Sequence, residues 1–271
     1  MKNNDSNKNI IIIILLLIIV GLSSTCIYFA LDRNNTNEQQ NEIGEKEENK
    51  DKIEEVELTE TEKNKFMNEI IAALDKSQYT VTAYSKGKLN DAEKIKFAIL
   101  AGDKFKQNIS YSDLVAIAKK YLGSDGEFAP QDISGCFCGK KYYEYNSNEK
   151  IFYSKLSEHG HGGTSDFDSP SLKNYFVDGF VVKENGEIKT AEIKVKKSFK
   201  EVGDVVYGGS KYGTYEDAKS AKDPAVEFTT SFGDSEILEH IKNNPHLYPT
   251  HTYSFVYEDG EYHLVSIAIE K

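Results

Sequence analysis

The longest apolar run of the chain occupies residues 10–30, IIIIILLLIIVGLSSTCIYFA, and contains no charged side chain. An α-helix rises about 1.5 Å per residue, so about 20 residues cross a hydrocarbon core about 30 Å thick. In lipid, a lone segment satisfies its backbone polar groups by folding as a helix. The pattern therefore predicts a single-pass transmembrane helix, an uncleaved signal anchor, at residues 10–30.

Two other processing routes fit the same segment. A cleaved secretory signal would use the small residues Ser23, Ser24 and Thr25 after a shorter apolar run. A lipoprotein signal would attach a lipid to Cys26, although Thr25 is an unusual residue immediately before such a cysteine. The apolar continuation through residue 30 brings the run to a spanning length and favours the uncleaved anchor.

The charges on either side of this segment predict its orientation. Lys2 and Lys8 precede it with only Asp5 against them, and an acidic stretch follows it. Lysine-rich flanks remain on the cytoplasmic side of a membrane. We therefore expect residues 1–9 to lie in the cytoplasm. The residues after the span should lie on the outer side of the cell membrane.

Residues 31–57 carry dense acidic charge and no aromatic side chain. Such a segment cannot bury enough apolar surface to offset the entropy lost on ordering. The sequence predicts a disordered acidic linker at residues 31–57 and one extracytoplasmic domain at residues 58–271.

The first helix of this domain has a clear start signal. Thr59 with Glu62 forms the capping-box pattern, and an apolar stripe continues to about Asp75. The following residues 78–85, QYTVTAYS, are rich in β-branched and aromatic side chains, which predicts a short strand.

Two further helices are predicted before residue 125. Asn90 with Glu93 repeats the capping pattern, and Gly102 marks the end of that helix. For the third helix, Ser112 is the predicted N-cap and Gly123 is the predicted C-cap.

After residue 130 the pattern changes to hairpins. Residues 140–155 hold two aromatic runs around a polar turn, and residues 251–271 alternate around the turn pair Asp259 and Gly260. Both segments therefore predict antiparallel strand pairs.

Asn185 and Gly186 form the strongest short hairpin signal in the chain, between residues 173–183 and 188–199. A two-residue loop at this position fixes the register and separates two faces. The predicted buried face holds Phe176, Phe180, Val182, Ala191, Ile193 and Val195. The predicted solvent face holds Thr190, Glu192, Lys194 and Lys196.

Helices precede antiparallel hairpins along the chain, with no alternating strand-helix-strand units, which predicts an α+β fold. The helical part covers about residues 58–125 and the β-rich part about residues 135–271. The simplest packing lays the helices over one curved face of an antiparallel sheet. Cone-like or cystatin-like folds share this plan, which we use as an analogy only.

The charge balance narrows the possible partners. The chain has 33 Lys and Arg against 44 Asp and Glu, a formal charge of −11. Basic surfaces bind nucleic acid favourably because they release its counterions. Since this chain is acidic, we expect no nucleic-acid partner. Adhesion to anionic lipid by charge is disfavoured as well, and the membrane contact that we expect is the single N-terminal span.

The most unusual group of side chains is Cys136, Cys138, His159 and His161, here called the Cys/His cluster. Two thiolates and two imidazoles form a ligand set for zinc or copper, and the hairpin between the pairs would return one to the other. The spacing differs from that of the usual zinc finger. A local disulfide between the cysteines and a pair of inert thiols are the other interpretations.

Two weaker signals remain. Asp166 and Asp168, with Asp178, could serve as calcium ligands or hydrolytic carboxylates, but acidic loops are common in a chain of this charge. The β-rich part also holds many tyrosines, which we interpret as core side chains with solvated hydroxyls rather than a carbohydrate or peptide platform. They are Tyr142, Tyr143, Tyr145, Tyr153, Tyr175, Tyr207, Tyr212 and Tyr215.

Two classes of function are consistent with these patterns. The chain holds neither a G-x-S-x-G elbow nor an H-E-x-x-H motif. We expect a membrane-anchored extracytoplasmic binding or interaction module rather than an enzyme, with a surface protein, a peptide or a glycan as partner. The alternative is a metal- or thiol-dependent enzyme, or a metal-binding protein, that uses the Cys/His cluster; zinc and copper are the metals this cluster would hold.

Overall fold

The computed structural model describes six stretches of the chain: residues 53–134, 141–156, 171–184, 187–201, 210–227 and 233–270. These stretches belong to one compact unit, Lys50–Lys271. The predicted signal anchor lies outside the described residues, as does the predicted linker up to residue 52. In the parts of the chain that the structure describes, no helix has the length and apolar character needed to cross a membrane.

The strands of the described stretches range from two to 15 residues in length. They are β1 (Glu54–Glu57), β2 (Ile109–Ser110), β3 (Ile133–Ser134), β4 (Lys141–Asn146), β5 (Ile151–Ser154), β6 (Ser171–Glu184), β7 (Glu187–Glu201), β8 (Ser210–Lys211), β9 (Val226–Glu227), β10 (Thr250–Glu258) and β11 (Glu261–Glu270).

The first helix, α1, covers residues 60–75 and consists of Glu60–Lys65, a π-helical stretch Phe66–Ile71, and Ala72–Asp75. The other helices are α2 (Gln78–Val81), α3 (Asp91–Ala101), α4 (Tyr111–Leu122), α5 (Tyr215–Ser220) and α6 (Asp234–Asn243). A 3₁₀ turn, Gly123–Gly126, follows α4, and a second one, Pro245–Leu247, follows α6.

The largest sheet is antiparallel and has the strand order β1-β6-β7-β10-β11. Its two long hairpins, β6–β7 and β10–β11, are those predicted from the Asn-Gly and Asp-Gly turn signals. Together with the helices, this sheet confirms the α+β fold class.

The register of the β6–β7 hairpin corrects the predicted faces. Phe176 pairs with Val195, as expected, but Phe180 pairs with Glu192 and Val182 pairs with Thr190. Register shifts between Phe176 and Asp178, and between Val182 and Lys183, insert extra residues into the ladder. Each extra residue reverses the faces of the positions beyond it, so Phe180 and Val182 lie on the side of the lysines.

The predicted packing of helices against the sheet is confirmed. The main apolar cluster joins α1, α3 and α4 to β6, β7, β10 and β11. Its fully buried members include Phe66 and Leu74 from α1, and Ile193 and Tyr253 from the sheet. Both predicted capping boxes are present, at the starts of α1 and α3, because each depends on residues only three positions apart.

A second sheet, with the order β2-β5-β4-β3, was not expected from the sequence. It contains β4 and β5, which lie within the hairpin predicted at residues 140–155, and it packs on α3 and α4 through its own apolar cluster. Ile95 and Leu114 face this cluster, whereas Phe97 and Tyr121 face the main one. Helices α3 and α4 therefore lie between two sheets, which explains why α3 is buried on more than one side.

Two local predictions in the helical part are wrong. The sequence predicted a strand at residues 78–85, but α2 begins there, with the Ser77 side chain accepting a hydrogen bond from the Tyr79 amide. Ser110, rather than Ser112, caps α4 by accepting from the Asp113 amide at 3.1 Å. Strand β2 pairs with β5 and ends at Ser110, so the helix begins directly after this strand, two residues before the predicted start.

The predicted linker ends too late in the sequence. Residues 54–57, which we assigned to the linker, form the edge strand β1 and pair with residues 180–183 of β6. The strand contributes little burial, since only Val56 is half-buried, but its backbone hydrogen bonds extend the sheet. The charged composition of this segment predicted a linker, but edge strands also tolerate charged side chains, so composition does not distinguish the two.

Helix α6 lies against β6 and β7, where Ile237, Ile241 and Tyr248 form a small apolar cluster with Tyr175. Tyr175 pairs with Lys196 and therefore belongs to the face opposite α1. Helices thus contact both faces of the large sheet.

Candidate functional site

The structure does not test the Cys/His cluster, because Cys136, Cys138, His159 and His161 lie outside the described residues. Asp166 and Asp168 lie outside them as well. Asp178 is on β6, and its carboxylate accepts a hydrogen bond from the Gly179 amide at 2.8 Å, inside the irregular part of the strand. Within the described residues, no group of three or more His, Cys, Asp or Glu side chains is arranged to hold a metal ion.

The tyrosines of the β-rich part are mainly core residues, as predicted. Tyr142, Tyr143, Tyr212 and Tyr215 are buried. The hydroxyl of Tyr143 accepts a hydrogen bond from the Lys106 amide at 3.0 Å, so its polar end is satisfied inside the protein. Tyr145, Tyr153 and Tyr175 are half-buried, and Tyr207 lies outside the described residues.

Among the described residues, a buried polar constellation is centred on Asp75, at the end of α1. Its carboxylate accepts from Lys197 Nζ at 2.5 Å, from Tyr253 Oη at 2.6 Å and from Asn174 Nδ2 at 2.7 Å. These donors come from β7, β10 and β6, so the carboxylate joins α1 to three neighbouring strands. We call these four side chains the Asp75 network.

Burial determines the chemistry of the Asp75 network. Lys197 is completely buried and Asp75 is 5% exposed. Burial lowers the pKa of Lys197, and the Asp75 carboxylate opposes that shift. Burial and the same carboxylate raise the pKa of Tyr253 well above its usual value. Because the lysine and carboxylate are enclosed by packing, the network holds the helix on the sheet.

His251 lies near this network on β10 and is completely buried. Its two ring nitrogens make no well-formed hydrogen bond with the described residues. Burial, then the positive charge of Lys197, lowers the pKa of His251 to about 3, and the Pro249 backbone only partly opposes this. The ring is therefore neutral in the folded protein at neutral pH.

Among the described residues, an open cleft lies between the carboxyl end of α4 and the tip of the β10–β11 hairpin. It has two chambers, of about 530 Å³ and about 240 Å³. Lys120 and Glu261 line both chambers, so the two adjoin each other. We call the pair of chambers the hairpin cleft. The chemically active side chains of the larger chamber are Lys119, Lys120, Glu127, Glu258, Asp259, Glu261 and His263.

Gly123 allows the wall of the larger chamber to form. It ends α4, as predicted, with a φ of 57°, a left-handed value that glycine adopts at low cost. A Cβ atom at this position would lie 3.1 Å from Cγ of His263. The glycine therefore lets β11 approach the end of the helix.

The same contact orients His263, which is 9% exposed. Its Nδ1 lies 3.2 Å from the carbonyl oxygen of Lys120. A carbonyl only accepts, so Nδ1 carries the proton in the neutral ring and Nε2 is left as an acceptor. Nε2 makes no hydrogen bond to the described residues, and the side chain lines the larger chamber.

The turn that follows α4 is held in place by Asp125. Its carboxylate accepts from the Tyr84 hydroxyl at 2.6 Å and from the Gly87 amide at 3.1 Å, and it forms an ion pair with Lys94 at 3.2 Å. Burial acts to raise the pKa of Asp125, but these three donors outweigh it and lower that pKa. This wall of the cleft is therefore a braced turn.

The opposite wall is the hairpin tip. Asp259 and Gly260 have φ values of 54° and 85°, as a two-residue type I′ turn requires. This turn places Glu258 directly opposite Glu261. The tip therefore presents three carboxylates to the larger chamber.

Only part of the acidic charge in the cleft is neutralised by neighbours. Glu127 pairs with Lys119 at 2.6 Å, which lowers the pKa of Glu127. Among the described residues, Glu258, Asp259 and Glu261 have no ion-pair partner within 4.0 Å. Lys120 lies 5.4 Å from the ring centroid of Tyr121, beside these acids.

The smaller chamber combines charged and aromatic side chains. The π-helical stretch of α1 supplies Glu69 and Ile70, and Tyr121 and Tyr262 supply aromatic rings. π-Helical turns occur frequently at functional sites. Burial, then the charge of Glu62, raises the pKa of Tyr262 to about 12, so its hydroxyl keeps its proton at neutral pH.

Sequence reasoning identified neither the Asp75 network nor the hairpin cleft. The sequence did contain a signal for the Asp75 network. Lys197 lies two positions after Val195 and four after Ile193, both buried, so all three side chains lie on the same face of the strand. For the cleft, the α4 end and the Asp259 turn were each predicted, but their proximity depends on the contact between α4 and β11.

Comparison of the chain with protein-family models, with curated protein sequences and with solved structures gave no significant match.

Proposed function

We propose that this chain is a single-span membrane protein whose extracytoplasmic domain binds a ligand in the hairpin cleft. In this proposal residues 10–30 anchor the chain, residues 1–9 lie in the cytoplasm, and the acidic segment that follows separates the domain from the membrane. The ligand belongs to a surface protein, a peptide or a glycan, and nucleic acid is disfavoured by the charge of −11.

The observation that carries the binding function is the construction of the hairpin cleft. Its larger chamber, of about 530 Å³, is within the range of small-molecule and side-chain pockets. One wall is braced by Asp125 and the other is a regular hairpin, so the cleft exists before a ligand arrives. Preformed sites lose less entropy on binding.

The chemistry of the walls also favours recognition. The larger chamber offers carboxylates and an imidazole acceptor, and the smaller one offers Tyr121 and Tyr262 as aromatic surfaces. A few polar groups beside an apolar surface are typical of binding sites. The sequence supports the anchor, because the apolar run is long enough to span and its positive flank precedes it.

A steric block tests the binding function. Ala116 is exposed on α4 and lines the larger chamber, so Ala116→Trp should fill that chamber without changing its charge. Ala268→Trp, at an exposed position of β11 that does not line the cleft, is the matched control. Both variants and the parent, as full-length chains in nanodiscs, are probed on peptide arrays and glycan arrays.

We expect at least one class of array ligand to bind the parent and the Ala268→Trp control, and to be lost in Ala116→Trp. Equal binding patterns for all three chains would contradict a role of the cleft, and so would an absence of ligands on both arrays.

The orientation has its own test. Cys136 or Cys138 should react with a membrane-impermeant thiol reagent on intact cells, after reduction and with mild denaturant if access requires it, whereas Cys26 should not react. Labelling of Cys136 and Cys138 that requires cell lysis would reverse the proposed topology.

A further inference from the structure

The hairpin cleft carries an excess of negative charge in its larger chamber. Glu258 and Glu261 face each other across the hairpin, and Asp259 lies at the turn between them. None of the three has an ion-pair partner among the described residues, whereas Glu127 is neutralised by Lys119. With Lys120 as the opposing charge, the unpaired groups of this chamber sum to about −2.

A second feature is independent of these acids. His263 is more than nine-tenths buried and lines the same chamber. Its Nδ1–H is committed to the Lys120 carbonyl, and Nε2 is left without a partner among the described residues. A neutral imidazole held in this tautomer offers a lone pair, so it accepts a hydrogen bond from a donor in the chamber.

The end of α4 adds a third acceptor. The last carbonyl groups of a helix carry partial negative charge and attract cations. The Lys120 and Gly123 backbone lies at this end, next to His263. Carboxylates, imidazole nitrogen and helix terminus therefore favour the same kind of ligand group, a positively charged hydrogen-bond donor.

The smaller chamber indicates what carries that group. Ile70, Tyr121 and Tyr262 form its apolar and aromatic surface, and Glu261 and Lys120 connect it to the acidic chamber. A free small cation would leave this surface uncovered. A peptide can place a charged side chain in the acidic chamber and a neighbouring residue against the tyrosines.

We infer that the hairpin cleft binds a basic peptide segment, with a lysine ammonium or arginine guanidinium between the hairpin tip and His263. This inference rests on the proposed binding function and specifies its ligand class. Glu258 and Glu261 supply charge, His263 Nε2 accepts a hydrogen bond, and Lys120 limits the affinity by repulsion.

The test uses the full-length chain in phosphatidylcholine nanodiscs, which carry no net charge that would attract the probe. The probes are hexalysine, spermidine and hexaglutamate, measured by isothermal titration calorimetry. The cleft variant is Glu258→Gln with Glu261→Gln. The matched control is Glu54→Gln with Glu55→Gln, on the sheet edge opposite β11, which changes the net charge by the same amount.

We expect hexalysine to bind the cleft variant about tenfold more weakly than the parent, since two exposed ion pairs are lost. The control should bind as the parent does. Lys120→Ala should bind hexalysine about threefold more tightly, because a repulsive charge is removed, whereas Lys222→Ala, away from the cleft, should show no change. This opposite effect also tests the inference if the double variant folds poorly.

Each other outcome overturns a defined part. If the affinity for spermidine changes in the charge variants and the affinity for hexalysine does not, the inference that the ligand is a peptide is wrong. In another outcome, Ala116→Trp abolishes binding of hexaglutamate or of a glycan, while the affinity for hexalysine is the same in the parent and the charge variants. The cationic ligand class is then wrong and the proposed binding function stands. If no probe responds to any cleft variant, both proposals fail.

Discussion

Neutralising Asp75 should be among the most destabilising single changes in the domain. Asp75→Asn keeps the size of the side chain, so it creates no cavity, but it removes the charge that faces Lys197 at 2.5 Å. The lysine is completely buried and cannot reach water without local unfolding. Asparagine also has one acceptor oxygen for three surrounding donors, so part of the network must lose its hydrogen bonds.

Two independent limits set the magnitude. Breaking a buried ion pair from one side costs about 3–5 kcal/mol. The lysine can instead lose its proton. Deprotonating a lysine with an ordinary pKa of about 10.4 at pH 7 costs about 5 kcal/mol. We therefore expect Asp75→Asn to lower the free energy of unfolding by about 3–5 kcal/mol at pH 7.

The pH dependence identifies the cause. In the variant, burial lowers the pKa of Lys197 without an opposing carboxylate, so the folded state binds fewer protons than the unfolded state between that lowered pKa and about pH 10.4. Stability of the variant then rises with pH, and the limit set by deprotonation falls to about 2 kcal/mol at pH 9. The deficit relative to the parent should shrink accordingly.

The assay is urea unfolding of the fragment 50–271, followed by far-ultraviolet circular dichroism because the chain has no Trp. Asp103→Asn is the matched control, since Asp103 pairs with Lys76 at the surface and should cost less than about 1 kcal/mol. Adding Lys197→Met to Asp75→Asn should recover most of the loss, because the unpaired charge is removed. A loss below about 1 kcal/mol, or a double variant no better than the single one, would refute the reasoning.

Three further predictions concern other parts of the molecule. The pKa of His251 is lowered to about 3, so the unfolded state binds more protons than the folded state between about pH 3 and 6.5. Acidification from pH 7 to 5 should therefore lower the free energy of unfolding of the parent, measured by urea titration, by about 2 kcal/mol more than that of His251→Leu. Parallel pH profiles of the two proteins would contradict this. Removing β1, by starting the fragment at residue 58 rather than 50, should cost about 1–3 kcal/mol through lost strand pairing, and equal urea midpoints would contradict it. If the Cys/His cluster holds a metal, a chelator should lower the midpoint of thermal unfolding and replacement of both histidines by Ala should mimic it; if the cysteines form a disulfide, reductant should shift the midpoint instead. Purified protein without a stoichiometric ion would end the metal interpretation.

The predictions that held depend on residues close together in the sequence. The capping boxes at Thr59 and Asn90, the terminating Gly123 and the Asp259 turn each involve a few neighbouring positions, so their signals are complete within the sequence window. The α+β class followed from the order of such signals along the chain.

The sequence alone thus determined where most helices and hairpins begin and end, because capping and turn geometry are local. Tertiary structure decided the rest. Bulges in β6 moved Phe180 to the other face because register depends on the partner strand. Asp75 meets Lys197 across 122 residues, and α4 meets the hairpin tip through the Gly123–His263 contact. Such pairs form only when packing places separate elements side by side, so no local pattern specifies them.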